Sequence, residues 1–229
     1  MTPMSARDSA PVAAYTTRVT DALILTSTMN AWNWEPADPP VPHLARLFAM
    51  SALVWRHGGD EDQVIAMLVH DTADNFDYAS VPLRVRAQFG PRTAAIVEAL
   101  LERPRVNASD WRATAEAHVE RAAGVDADAA LVLACAAVHE LTSIAVECRA
   151  VGAVPGEDAC WYHRAMRDAL ASRLPDSLVT ELDAQLEARW LPRSPAQREQ
   201  SGHQPGEHGD AAHQQDVARE VARDGHRGG

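Results

Sequence analysis

Apolar residues recur at helical spacing along most of the chain, from about residue 15 to about residue 190. Val19, Leu23, Leu25 and Met29 mark a first helix over 18–32. The segment EPADPPVP (35–42) stops it, because its four prolines remove backbone donors and clash with a continuing helix. Leu44, Leu47, Phe48, Ala52 and Trp55 form the apolar stripe of a second helix. Gly58-Gly59 ends that helix, where a left-handed cap is wanted. Asp60 opens a third, with Gln63 three residues on as its capping-box partner. The run VIAMLV (64–69) that follows is apolar on every side, so this helix is predicted to lie at the centre of the core.

Pro91 is a favourable first helical residue and predicts a helix to about Leu101. Further helices are predicted over Asp110–Ala122 and Ala127–Ala150. Two amphipathic helices close the pattern, one carrying Trp161, Tyr162, Ala165, Met166, Ala169 and Leu170, the other Leu178, Leu182, Leu186 and Trp190. No stretch alternates as a strand would, and no segment repeats. The expected fold class is therefore all-α, with one helical domain over 15–190, a loose leader over 1–14 and a polar tail over 191–229. The tail is nearly free of large apolar side chains and is expected to be disordered, because it cannot bury enough surface to offset its ordering entropy.

Composition bounds the function classes. The chain has 229 residues, 46% of them hydrophobic, which is enough for one sizeable core. A net charge of -11 argues against general attraction to nucleic acid or an anionic membrane. The chain has no lysine, so any phosphate contact from a cationic side chain must come from arginine, which favours bidentate recognition. Cys135, Cys148 and Cys160 form no CxxC pair and read as reduced thiols. The N-terminus lacks the apolar core of a secretory signal, and no continuous apolar run approaches the roughly 20 residues of a membrane span. A cytoplasmic protein with no membrane and no nucleic-acid partner is expected.

The candidate chemistry centres on the end of the third helix. His70, Asp71 and Asp74 fall at i, i+1 and i+4, which puts His70 and Asp74 on one face with Asp71 beside them. Charged groups ending a buried helix are costly unless compensated, and a divalent cation taking imidazole nitrogen and carboxylate oxygen would compensate them. On spacing alone, a helix end that simply reaches solvent is the simpler reading. His43 opens the second helix and is uninformative unless the fold brings it to His70. His139 shares a face with Val132, Ala136 and Ser143, small residues that suit close helix packing as well as a ligand.

Taken together, VPHLARLFAMSALVWRHGGDEDQVIAMLVHDTADN resembles the core of HD-domain phosphohydrolases, in particular the hydrolase half of RelA/SpoT-type proteins and their small stand-alone relatives. VPLRVRAQFGPRTAAIVEALLE, LVLACAAVHELTSI and WYHRAMRDAL resemble later segments of the same domain, in the same order. The resemblance implies an HD-type helical bundle holding one divalent metal, usually Mn²⁺, through His43, His70, Asp71 and a fourth ligand. It implies metal-assisted hydrolysis of a phosphate ester or pyrophosphate, possibly nucleotide-derived, in some small phosphorylated molecule. Asp74 and Asn75 take the positions of the catalytic acidic pair, and His139 and Glu140 those of substrate-binding residues.

The chain departs from that pattern at named positions. Ala136 stands where the family has an aspartate ligand, and Asn75 where it has an acid. Ala137 and Glu140 replace a basic residue and an asparagine beside His139. EPADPPVP replaces a basic stretch ahead of the first histidine, which weakens the case for guanosine tetraphosphate as substrate. The alternative reading is a catalytically inactive HD-fold protein with a binding or regulatory role.

Overall fold

A computed structural model describes residues 16–31, 33–35, 41–71, 80–101, 110–150, 152–153 and 155–190. The expected leader and tail, and with them Asp74 and Asn75, lie outside the described residues. The described residues form nine α-helices: α1 (Thr17–Met29), α2 (His43–Arg56), α3 (Glu61–Val69), α4 (Val81–Phe89), α5 (Pro91–Leu101), α6 (Trp111–Ala122), α7 (Ala127–Ala150), α8 (Glu157–Leu170) and α9 (Asp176–Trp190). A short 3-10 turn, Ala171–Arg173, joins the last two. The all-α expectation holds. The one addition is a two-residue antiparallel pair, β1 (Trp34–Glu35) against β2 (Val41–Pro42), in register Trp34 with Pro42 and Glu35 with Val41. It takes in Trp34 and both ends of the segment expected to break the first helix.

α3 is the axis of the bundle, as its unbroken apolar run predicts. Every residue from Gln63 to Val69 is buried, and the helix packs against α1, α2, α4, α5 and α7. Its start is fixed by the full capping box: Gln63 N–H donates to Asp60 Oδ1 (3.3 Å), and Asp60 N–H donates to Gln63 Oε1 (2.8 Å). Arginines clamp neighbouring helices to this end. Arg92 reaches Asp60 (2.6 Å), Asp62 (3.3 Å) and Asp128 (2.6 Å), while Arg18 reaches Glu61 (3.0 Å), Asp62 (2.6 Å) and the Phe89 carbonyl (2.6 Å). Further along, the buried Thr26 hydroxyl of α1 donates to the Leu68 carbonyl (2.9 Å).

The structure departs from the sequence pattern in three places. α4 was not foreseen as a helix; it buries Val81, Val85 and Phe89 on one side and leaves Leu83 68% exposed. On α2 the buried face is Leu47, Met50, Ser51 and Val54, so Phe48, placed in the predicted stripe, is 44% exposed. α1 also ends sooner than predicted, at Met29.

α7 buries an unbroken run from Ala129 to Val138 and packs on α2, α3, α5, α8 and α9. Among the described helices it alone is long and apolar enough to cross a membrane by length and composition. Its most apolar window is 67% buried by the rest of the fold, the environment of a core helix. The three cysteines are free thiols, with Cys135 buried.

Candidate metal centre

His43 is the first residue of α2. Pro42 before it offers no side-chain cap, and the His43 amide donates instead to the Asn33 carbonyl (3.0 Å). The short β1–β2 pair and this bond together fix where α2 begins and hence where the imidazole starts.

His70 is the residue at which α3 ends, still in helical conformation, and it is 1% exposed. Its Nδ1 lies 2.8 Å from the Met67 carbonyl. A carbonyl can only accept, so Nδ1 carries the proton and Nε2 is the nitrogen presented to the centre. This is the backbone-carbonyl anchoring that commonly orients metal-binding histidines.

Asp71 joins the two rings. Its Oδ2 lies 3.0 Å from Nε2 of His43, and its Oδ1 lies 3.1 Å from Nε2 of His70. Burial pushes the Asp71 pKa up. The charge of His70, the hydrogen bond from His43 and the charge of Arg46 outweigh it and hold the carboxyl well below the ordinary carboxylate range. The centre thus offers a carboxylate, favoured in its ionised form, between two imidazoles. With its proton on Nδ1, a neutral His70 would face Asp71 lone pair against lone pair. A positive charge between or upon them removes that repulsion.

Among the described residues, no group of three or more His, Cys, Asp or Glu side chains is arranged so that it could hold a metal ion. His43, Asp71 and His70 are two imidazole–carboxylate contacts around one bridging acid. His43, His70 and Asp71 nevertheless supply the donor types, imidazole nitrogen and carboxylate oxygen, that a divalent cation takes.

The remaining expected site residues are distributed as follows. Ala136 is 1% exposed on α7, with no ligating atom in its side chain. His139 and Glu140 are half-buried on the next turn, where the Ser143 hydroxyl donates to the His139 carbonyl (3.2 Å). Arg46, whose charge reaches Asp71, was not singled out from the sequence. The available signal was its place three residues after His43, on the adjoining turn of α2.

The chain matches the HD domain family model over residues 34–152, just over half its length. That span runs from β1 to the end of α7 and includes His43, His70, Asp71 and Ala136. Two solved structures are similar. One is a metazoan orthologue of SpoT, described as hydrolysing ppGpp and acting in starvation responses. It has a TM-score of 0.64 at 16% identity, over 78% of this chain and 99% of that one. The other is a protein of Listeria monocytogenes EGD-e, with a TM-score of 0.50 at 18% identity, over 62% of this chain and 97% of that one. At such identities the likeness concerns the fold. No curated protein matches the chain.

Proposed function

Since the chain belongs to the HD domain family, we propose that it is a metal-dependent phosphohydrolase acting on a phosphate ester or pyrophosphate of a small, nucleotide-derived molecule in the cytoplasm. The observation that carries this reading is the bridging of His43 and His70 by the Asp71 carboxylate. A divalent cation held by these three, with Mn²⁺ the family's usual choice, would supply Lewis acidity, activating water and offsetting charge on the phosphoryl oxygens.

The chain's own residues contribute position and charge. The Met67 carbonyl holds the His70 ring so that Nε2 faces the centre. The His70 charge, the His43 hydrogen bond and the Arg46 charge favour the ionised form of Asp71, which limits proton competition through this group. Asp74, four residues beyond His70, is the nearest further carboxylate in sequence for orienting water. Arg46 places positive charge beside the centre, where an anionic substrate gains from it. His139 and Glu140 are the proposed substrate contacts on α7. The segment 35–42 has no basic side chain, so a guanosine tetraphosphate-like substrate would lack a phosphate contact there.

Ala136 supports a second reading, an inactive HD-fold protein that retains binding, because it removes the fourth ligand of the family pattern. Both readings are separated by incubating the Mn²⁺-loaded protein with nucleoside mono-, di- and triphosphates and guanosine tetraphosphate. Release of phosphate or pyrophosphate, lost in His70→Ala, is the expected result. No release from any of them by protein that binds Mn²⁺ would favour the inactive reading.

A further inference from the structure

The opposite end of α2 carries a second group of reactive side chains. His57, which follows the last residue of α2, is buried, with a side chain 3% exposed. Its Nε2 lies 2.9 Å from Oε2 of Glu181, and its Nδ1 lies 3.1 Å from the Ser177 hydroxyl. A carboxylate can only accept, so Nε2 carries the proton. In the neutral imidazole Nδ1 is then the acceptor and receives the hydroxyl hydrogen of Ser177. That is the protonation state of a serine nucleophile paired with its general base, the base oriented by a third group. The ring nitrogens are exchanged relative to the serine-protease triad, but the roles follow the protons and not the atom labels.

We propose that Ser177, His57 and Glu181 form a hydrolytic site for small acyl esters, separate from the metal centre. The three line a cavity of about 430 Å³ together with Arg56, Thr180 and Ala184, a size that suits a small ligand. Ser177 is exposed, whereas a hydroxyl serving only to tie α9 to α2 has no need of an open cavity. Arg56 contacts the same Glu181 oxygen at 2.6 Å. Ser177 lies in the first turn of α9, before the amide of Leu178 makes its bond to the Pro175 carbonyl. The Leu178 and Val179 amides both bond to the Pro175 carbonyl, so a developing oxyanion would fall to the amides of Asp176 and Ser177 at the positive end of the helix. The thiol of Cys135 is no rival nucleophile: burial, then the charge of Glu181, pushes it up to about 12.

In the reaction, Ser177 Oγ bonds to the ester carbonyl carbon while its proton passes to His57 Nδ1. The tetrahedral adduct collapses, the ester C–O bond breaks, and the leaving alkoxide takes the proton and departs as an alcohol. Water repeats the sequence on the acyl-serine, releasing a carboxylic acid and restoring the hydroxyl. α2 spans 14 residues between its ends, roughly 21 Å, so this chemistry is independent of the His43 end.

The test is covalent labelling with diisopropyl fluorophosphate, in which fluoride leaves as Ser177 Oγ bonds to phosphorus, in protein treated with EDTA. Peptide mass spectrometry should place one adduct on Ser177, absent in Ser177→Ala. Labelling should be at least about tenfold slower in Glu181→Gln, whose fold is checked by circular dichroism. Hydrolysis of 4-nitrophenyl acetate should fall in parallel in both variants. Absence of an adduct on Ser177 in folded protein, or labelling at the same rate in Glu181→Gln, would overturn the proposal.

Discussion

Nε2 of His43, on the first residue of α2, stands 3.0 Å from Oδ2 of Asp71, just past the end of α3. The two helices run into and out of one turn, so this contact depends on how Gly58 and Gly59 reverse the chain between them.

Gly59 has no room for a side chain. A Cβ there would lie 2.4 Å from Val54 Cγ1 and 2.9 Å from the Val54 carbonyl oxygen, which the Gly59 amide itself contacts. Gly58 has a φ of +83° and open space around it, so a side chain there meets only backbone strain. Gly59→Ala should cost about 1–3 kcal/mol and Gly58→Ala about 1–2 kcal/mol. Urea denaturation of both variants checks this. Because Gly59→Ala moves α2 against α3, it should also weaken Mn²⁺ binding, which Gly58→Ala should leave close to the parent.

Asp62 accepts from Arg18, Arg92 and Thr93 and so joins α1, α3 and α5. Burial raises its pKa, but the hydrogen bonds from Arg18 and Thr93 lower it further, and the net shift is downward. A carboxylate with a lowered folded pKa stabilises fully above its unfolded pKa, and that contribution is lost as pH falls toward the folded value. Asp62→Asn should therefore cost about 1–2 kcal/mol at neutral pH, after allowance for its partial solvent exposure. The difference from the parent should shrink below about pH 4. Thermal unfolding of both proteins from pH 7 to pH 3 measures it, and a difference that grew with acid would contradict the assignment.

The sequence made some of these elements legible and hid others. Asp60 and Gln63 announce the start of α3, and the run at 64–69 announces its burial, because capping and all-round apolarity are local signals. α4 was missed because arginines and a proline interrupt its short stretch, leaving only Val81, Val85 and Phe89 as a buried stripe. Phe48 was misplaced because Ser51, a polar residue, occupies the buried face of α2 that an apolar count assigns elsewhere. His43, His70 and Asp71 were named from motif order, but the sharing of one carboxylate by two rings is a tertiary fact. The group of His57, Ser177 and Glu181 left no local trace, since α2 and α9 meet only in the folded chain.

Ala136 gives a gain-of-function test. It is buried on α7, which packs against both α2 and α3, and it stands where the family pattern has an aspartate. Ala136→Asp should raise Mn²⁺ affinity on the order of tenfold or more. It should destabilise the metal-free protein, because an unpaired carboxylate is buried there, and recover stability when Mn²⁺ is added. Turnover should gain less than binding, since Asn75 and the lack of basic residues in 35–42 are unchanged. Thermal unfolding with and without Mn²⁺ reads both effects, and a variant that is folded yet no more responsive to Mn²⁺ than the parent would misplace α7 relative to the centre.

The most direct measurement is calorimetric titration of Mn²⁺ into metal-free protein and into Asp71→Asn. Asparagine keeps the shape of Asp71 but removes the charge that both imidazoles contact. One site per chain in the parent, at least about tenfold weaker in Asp71→Asn, is the predicted result. No binding by the folded parent, or equal binding by the two proteins, would contradict the assignment of His43, His70 and Asp71 as the metal centre.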